Sequence, residues 1–131
     1  MRYLLDTGVW LWTLMAPERL SPVARKVLAD ANEEIFVSAV TSWEIAIKFS
    51  ANKLRLPESP QFYVPRRMAS QGLRALEVTH SHALAVAALP AYHRDPFDRL
   101  LVAQAQLEDL VLITADSVVR RYPVKILFAG N

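Results

Sequence analysis

Asp95-Pro96-Phe97-Asp98-Arg99-Leu100-Leu101-Val102-Ala103-Gln104-Ala105 and, after a short connection, Val111-Leu112-Ile113-Thr114-Ala115-Asp116 read as a helix followed by a buried strand. Pro96 suits the first helical position, because it has no N–H to leave unpaired there. Asp95 before it is a good N-cap, and Asp98 falls in the first turn, where the helix dipole favours negative charge. Beyond them Leu100, Leu101, Ala103, Ala105 and Leu107 make a broad apolar face. The strand is apolar on both sides and ends at an acid. A strand of that kind beside a core-facing helix belongs in a parallel sheet with helices on both faces.

The rest of the chain repeats this grammar. Arg2-Tyr3-Leu4-Leu5 is a strand ending at Asp6, with a short helix through Val9–Leu14 after it. Ser21-Pro22 opens a helix running to about Ala31. Ile35-Phe36-Val37 is a second strand, and a helix from about Val40 to Ala51 follows, carrying Trp43, Glu44, Ile47 and Phe49. Leu56–Pro60 is a loop before a helix starting near Gln61, which Pro65 should break or kink. Ala75–Val78 is a short strand, and Thr79 caps a helix from His80 to about Leu89, closed by Pro90. A helical turn and a strand at Val124–Leu127 complete the pattern.

At 131 residues the chain is expected to be one domain, 1–131, able to bury a core without staples. With 53% hydrophobic and 21% charged residues it is not a disordered chain. The absence of cysteine removes disulfides, thiolate nucleophiles and Cys-based zinc sites, and fits a reducing cytoplasmic compartment. No signal peptide and no membrane-spanning run is expected. The net charge of +2 says little, but its distribution says more. Between Ile45 and Ala75, Lys48, Lys53, Arg55, Arg66, Arg67 and Arg74 face a single acid, Glu58. This is either a field for a polyanion or an ordinary solvated helical surface.

Ligands of open parallel sheets bind at the carboxyl ends of the strands. Asp6 and Asp116 follow strands, and Glu44 and Asp98 lie near the starts of helices, so all four belong at that edge. Each has a structural role open to it: the aspartates can cap, and Thr41-Ser42-Trp43-Glu44 matches a capping box. Together they would repel and raise each other's pKa. A hard divalent cation relieves that, and oxygen ligands without Cys or a His pair favour Mg²⁺ or Mn²⁺ over zinc. The chemistry implied is metal-assisted phosphodiester hydrolysis. Repulsion further predicts that Asp6→Asn or Asp116→Asn raises the melting temperature in metal-free buffer.

Other templates fit poorly. With three glycines there is no Gly-rich phosphate loop, and no serine sits in a nucleophile elbow. An aspartyl-phosphate site at Asp6 would want a second acid where Gly8 stands. His80 and His82 do not share a helix face, so structural or surface roles are expected of them. His93, just before the acidic pair, is placed to touch substrate.

Leu4-Leu5-Asp6-Thr7 with Trp10-Leu11-Trp12, then Ser42-Trp43-Glu44-Ile45-Ala46-Ile47-Lys48, then Asp95–Ala105 and Leu112-Ile113-Thr114-Ala115-Asp116 resemble the PIN domain. More narrowly they resemble ribonuclease toxins of the VapC type, from bacterial toxin–antitoxin pairs. The resemblance covers essentially the whole chain, with the motifs in order. It implies a three-layer α/β/α sandwich with a central, mostly parallel sheet, and Mg²⁺- or Mn²⁺-dependent cleavage of RNA. It makes Asp6, Glu44, Asp98 and Asp116 the catalytic, metal-holding quartet, with Glu44 holding a ligand water or orienting the attacking one. Thr7, Asp95 and Thr114 become supporting residues: Asp95 as a helix cap, the threonines bonding to carboxylates or to the scissile phosphate. It also implies a homodimer and a cognate antitoxin that blocks the acidic pocket. Gly8 departs from relatives that carry His after the Thr. The residues alone leave a second reading open, a non-catalytic RNA- or protein-binding module on the same fold.

Overall fold

In a computed structural model, which describes residues 1–130, strands β1 (Arg2–Leu5), β2 (Glu34–Ser38), β3 (Arg74–Leu76), β4 (Val111–Thr114) and β5 (Ile126–Phe128) form one sheet. Their order is β3-β2-β1-β4-β5, and every neighbouring pair is parallel. The helices are α1 (Thr7–Met15), α2 (Pro22–Ala29), α3 (Ala39–Ser50), α4 (Pro60–Ser70), α5 (His80–Ala85) and α6 (Pro96–Leu107).

Strand residues alternate between two cores, which is why the strands are apolar throughout. Tyr3, Leu5, Ile35, Val37, Val111 and Ile113 face one layer, with Val9 and Trp10 of α1, Ala24 of α2, Ile45 of α3 and Val64 of α4. Leu4 and Leu112 face the other, against Leu101, Val102, Ala103 and Ala105 of α6. The result is the expected three-layer α/β/α sandwich. Trp10 is fully buried, its indole N–H donating to Gln71 Oε1 at 2.8 Å. Trp12 is half-buried and lines the cleft described below.

Several boundaries differ from the sequence expectation. Helix α2 stops at Ala29, two residues early. Helix α5 stops at Ala85 and continues as a 3₁₀ turn over Val86–Ala88. The last strand starts at Ile126 rather than Val124, and β3 spans Arg74–Leu76 rather than 75–78. Pro65 neither breaks nor ends α4. It sits on the exposed side, where water can take the carbonyl that its ring leaves unpaired.

Because all strands run the same way, their carboxyl ends share one edge. The chain leaves β1 at Asp6 into α1, leaves β2 at Ser38 into α3, and leaves β4 at Asp116. Helix α6 begins at the same edge, so its first turn points at those three exits.

Candidate active site

Asp6 is the N-cap of α1. Its Oδ1 accepts the Val9 N–H at 2.7 Å and its Oδ2 accepts the Thr114 hydroxyl at 2.5 Å. Thr114 Oγ1 in turn accepts the Asp116 N–H at 3.0 Å, so the end of β4 ties Asp6 to Asp116. Burial pushes the Asp6 carboxyl up to about 6, although both hydrogen bonds favour its charged form.

Asp98 lies in the first turn of α6 but does not cap it. Asp95 does, accepting the Phe97 and Asp98 N–H groups on Oδ1 at 2.8 and 3.4 Å. Burial, then the neighbouring charges of Asp95 and Asp6, raise the Asp98 carboxyl to about 7. Asp116 behaves oppositely. Burial works against its charge, but a hydrogen bond from His93 and the Val118 and Val119 N–H groups outweigh it and hold this carboxyl below the usual range.

Glu44 departs from the capping-box expectation. The N-cap of α3 is Ser38, whose hydroxyl accepts the Val40 N–H at 3.1 Å. Thr41 therefore lies inside the helix, and Glu44 faces inward, only 3% exposed. Its Oε2 meets Lys48 Nζ at 2.5 Å, one turn on, while its buried Oε1 has no partner. The Lys48 ammonium is stabilised above its ordinary pKa, chiefly by this bond.

The structure brings Asp6, Glu44, Asp98 and Asp116 to the walls of one cleft, which Thr7, Gly8, Val9, Trp12, Lys48, Asp95 and Ala115 complete. Thr7 bonds to Thr41, Oγ1 to Oγ1 at 2.9 Å, rather than to a carboxylate. Gly8 is open to the cleft, and a Cβ there would meet Asp6 Oδ1 at an ordinary 3.8 Å. Two residues take contacts with the acids that the sequence argument does not assign. Lys48, part of the basic run and of the Ser42–Lys48 stretch, pairs with Glu44, as the Glu44-x-x-x-Lys48 spacing of a helical ion pair allows. His93 was considered only as a substrate contact, yet its Nε2 lies 2.9 Å from Asp116 Oδ2 and 3.2 Å from Asp98 Oδ2. Elsewhere, Arg66 of the basic segment pairs with Glu58 at 2.9 Å. His82 is buried, and its Nδ1 accepts the Thr79 N–H in a reciprocal cap of α5, a structural role.

The donor set suits a hard divalent cation. It is mostly carboxylate oxygen, one of those oxygens is buried and unpartnered, and burial and neighbouring acids make one carboxyl resist ionising. Residues 3–125 match the PIN domain family. The chain belongs to that family. Among PIN-domain relatives, it is 29% identical to Ribonuclease VapC22 of Mycobacterium tuberculosis over 91% of this chain and 90% of that protein. It is 41% identical to Ribonuclease VapC16 of the same organism, in a segment covering 44% of this chain and only 41% of that protein. In fold it is similar to a chain of VapBC2 from Rickettsia felis bound to a promoter DNA fragment, with TM-score 0.75 and 17% identity, covering 99% of this chain and 100% of that one. A toxin–antitoxin complex from Klebsiella pneumoniae gives TM-score 0.66 at 20% identity, covering 95% of each chain.

The geometry also reverses one expectation about repulsion. Asp116 is not the strained acid, because three donors hold its carboxylate. In Asp116→Asn an amide N–H₂ would face the His93 donor or the capping N–H groups. The variant should therefore lose about 1 kcal/mol of stability in metal-free buffer rather than gain any. Thermal denaturation in EDTA reads this out.

Proposed function

We propose that this chain, acting as a single domain over 1–131, is a metal-dependent endoribonuclease and the toxin of a toxin–antitoxin pair. The observation that carries the reading is the state of Glu44 and Asp98. Asp6, Asp95 and Asp116 all serve as caps, so their presence alone fits a binding module equally well. Glu44 and Asp98 cap nothing, yet both line the acidic cleft: Glu44 is buried with Oε1 unpartnered, and Asp98 is held there against burial and the charges of Asp95 and Asp6. A fold that keeps two such carboxyls favours a catalytic site over a passive surface.

Asp6, Asp98 and Asp116 would hold Mg²⁺ or Mn²⁺, with Glu44 binding or orienting a water. Such an ion supplies charge neutralisation at the scissile phosphate and acidifies coordinated water. Thr114 keeps the Asp6 carboxylate in place, Asp95 fixes the start of α6, and Thr7 braces α1 against α3 through Thr41. Lys48 is the cleft's own cation and can meet a phosphate oxygen once Glu44 is otherwise engaged. The ribonuclease names of the M. tuberculosis relatives support RNA as the substrate. The toxin–antitoxin neighbours support an antitoxin partner, and we include a homodimer and a cytoplasmic location in the reading. No helix among the described residues is long and apolar enough to cross a membrane.

The test is cleavage of total cellular RNA by the purified, antitoxin-free protein with Mg²⁺, with Mn²⁺ and with EDTA. Discrete products that require the ion are expected. Absence of both cleavage and ion binding would overturn the nuclease reading and leave the binding module.

A further inference from the structure

We infer that His93 is a positioning residue of the acidic site, whose Nε2–H sets how the Asp116 and Asp98 carboxylates face each other, and that it is not itself a metal ligand. The inference rests on the metal-site reading above. By spacing alone the opposite would be reasonable, since ligand atoms of His93, Asp98 and Asp116 all lie within 4.8 Å of one another. The other ring nitrogen decides between the two. His93 Nδ1 accepts the backbone N–H of Asp95 at 3.1 Å. A backbone N–H can only donate, so Nδ1 carries its lone pair there and the neutral ring bears its proton on Nε2. That proton points at Asp116 Oδ2, 2.9 Å away, with Asp98 Oδ2 at 3.2 Å. No lone pair is left on Nε2 for a cation.

The ring is held where it does this. The His93 N–H donates to the buried Tyr122 hydroxyl at 2.8 Å, and that hydroxyl also accepts Arg99 Nη1 at 3.1 Å. Arg99 is anchored in turn on the carbonyls of Pro90 at 2.9 Å and Val86 at 3.1 Å. At the far end Asp116 Oδ1 takes the Val118 and Val119 N–H groups, so with His93 on Oδ2 the carboxylate cannot turn. Oδ2, which takes only the His93 contact, keeps a second lone pair for an ion. His93 thus brings two like-charged groups together without placing a ligand atom or a full charge in the cation's position. Orienting contacts of this kind typically change metal affinity 10–100-fold.

At a pH high enough to leave the ring neutral, nitrogen–proton correlation spectra of the full chain should show His93 protonated on Nε2 and bare on Nδ1, both without metal and in saturating Mg²⁺. Calorimetric titration with Mg²⁺ and Mn²⁺ should find binding weakened about tenfold in His93→Ala, and largely recovered in His93→Gln, which keeps an N–H donor of similar reach. A neutral ring with its proton on Nδ1 and Nε2 bare, or loss of the Nε2 proton on adding Mg²⁺, would make His93 a ligand and overturn the inference. So would unchanged or tighter binding in a folded His93→Ala, which would mean that the ring competes with the ion. Wild-type protein that binds neither ion would sink the functional reading together with it.

Discussion

Asp98→Asn is expected to abolish metal-dependent RNA cleavage while raising the melting temperature of the metal-free protein by roughly 5 °C or more. Both halves follow from one side chain. Asp98 is turned toward Asp6 and Glu44, caps nothing, and is pushed up to about 7 by burial and by Asp95 and Asp6. Ionising a carboxyl at neutral pH when its folded value lies that far above 3.8 costs as much as about 4 kcal/mol. An asparagine of nearly the same shape removes the charge and leaves the Asp95 cap intact. The same change deletes an anionic ligand from the centre of the cleft, so cleavage should fall at least 10³-fold, about 4 kcal/mol of barrier. Melting in EDTA beside an RNA cleavage assay reads out both. A variant that melts lower and still cleaves would mean that Asp98 is a structural residue.

Most of the architecture was legible because it depends on local order. Apolar strands ending at Asp6 and Asp116, and helices opening at Ser21-Pro22 and Asp95-Pro96, are signals carried by adjacent residues. Their parallel arrangement then puts the acids on one edge with no further information. The capping role open to Glu44 rests on the Thr41–Glu44 spacing, whereas Ser38, at the end of β2, does the capping. The contacts that tune the site were out of reach for a different reason. The Thr114–Asp6 bond joins residues 108 apart, and the His93–Asp116 bond spans 23. No spacing rule covers such pairs. Repulsion was foreseen for the four acids alike, yet the structure leaves Asp98 strained and Asp116 relieved. Which acid is which depends on where donors fall.

That uneven distribution gives the metal-free protein an unusual response to pH: its stability should fall as pH rises from about 4 to about 7, by on the order of 3–5 kcal/mol. Asp6 and Asp98 have folded values of about 6 and about 7 against 3.8 for the unconstrained group. The folded state therefore binds their protons more tightly than the unfolded chain does. Their contribution is fully present below the unfolded value and is lost as pH rises through the folded ones. His93 works in the same direction: burial opposes its charge, but Asp116 and Asp98 outweigh that and raise its pKa above 6.5, and when the ring charges it takes its second proton on Nδ1 and gives up the Asp95 N–H bond. Asp116, held low by its three donors, contributes oppositely, but its share is lost only in acid, below about pH 4. A divalent ion should cancel the trend, because it binds the deprotonated carboxylates and so gains affinity where the apo protein weakens. At an ion concentration 100 times its Kd the folded state gains about 2.7 kcal/mol, and more as pH rises and Kd drops. Melting curves at pH 5 and pH 8, in EDTA and in Mg²⁺, give the four values needed. The Mg²⁺-induced rise should be several-fold larger at pH 8. Equal rises at both pH values, or a flat profile in EDTA, would show that Asp6 and Asp98 are not the groups that hold the ion.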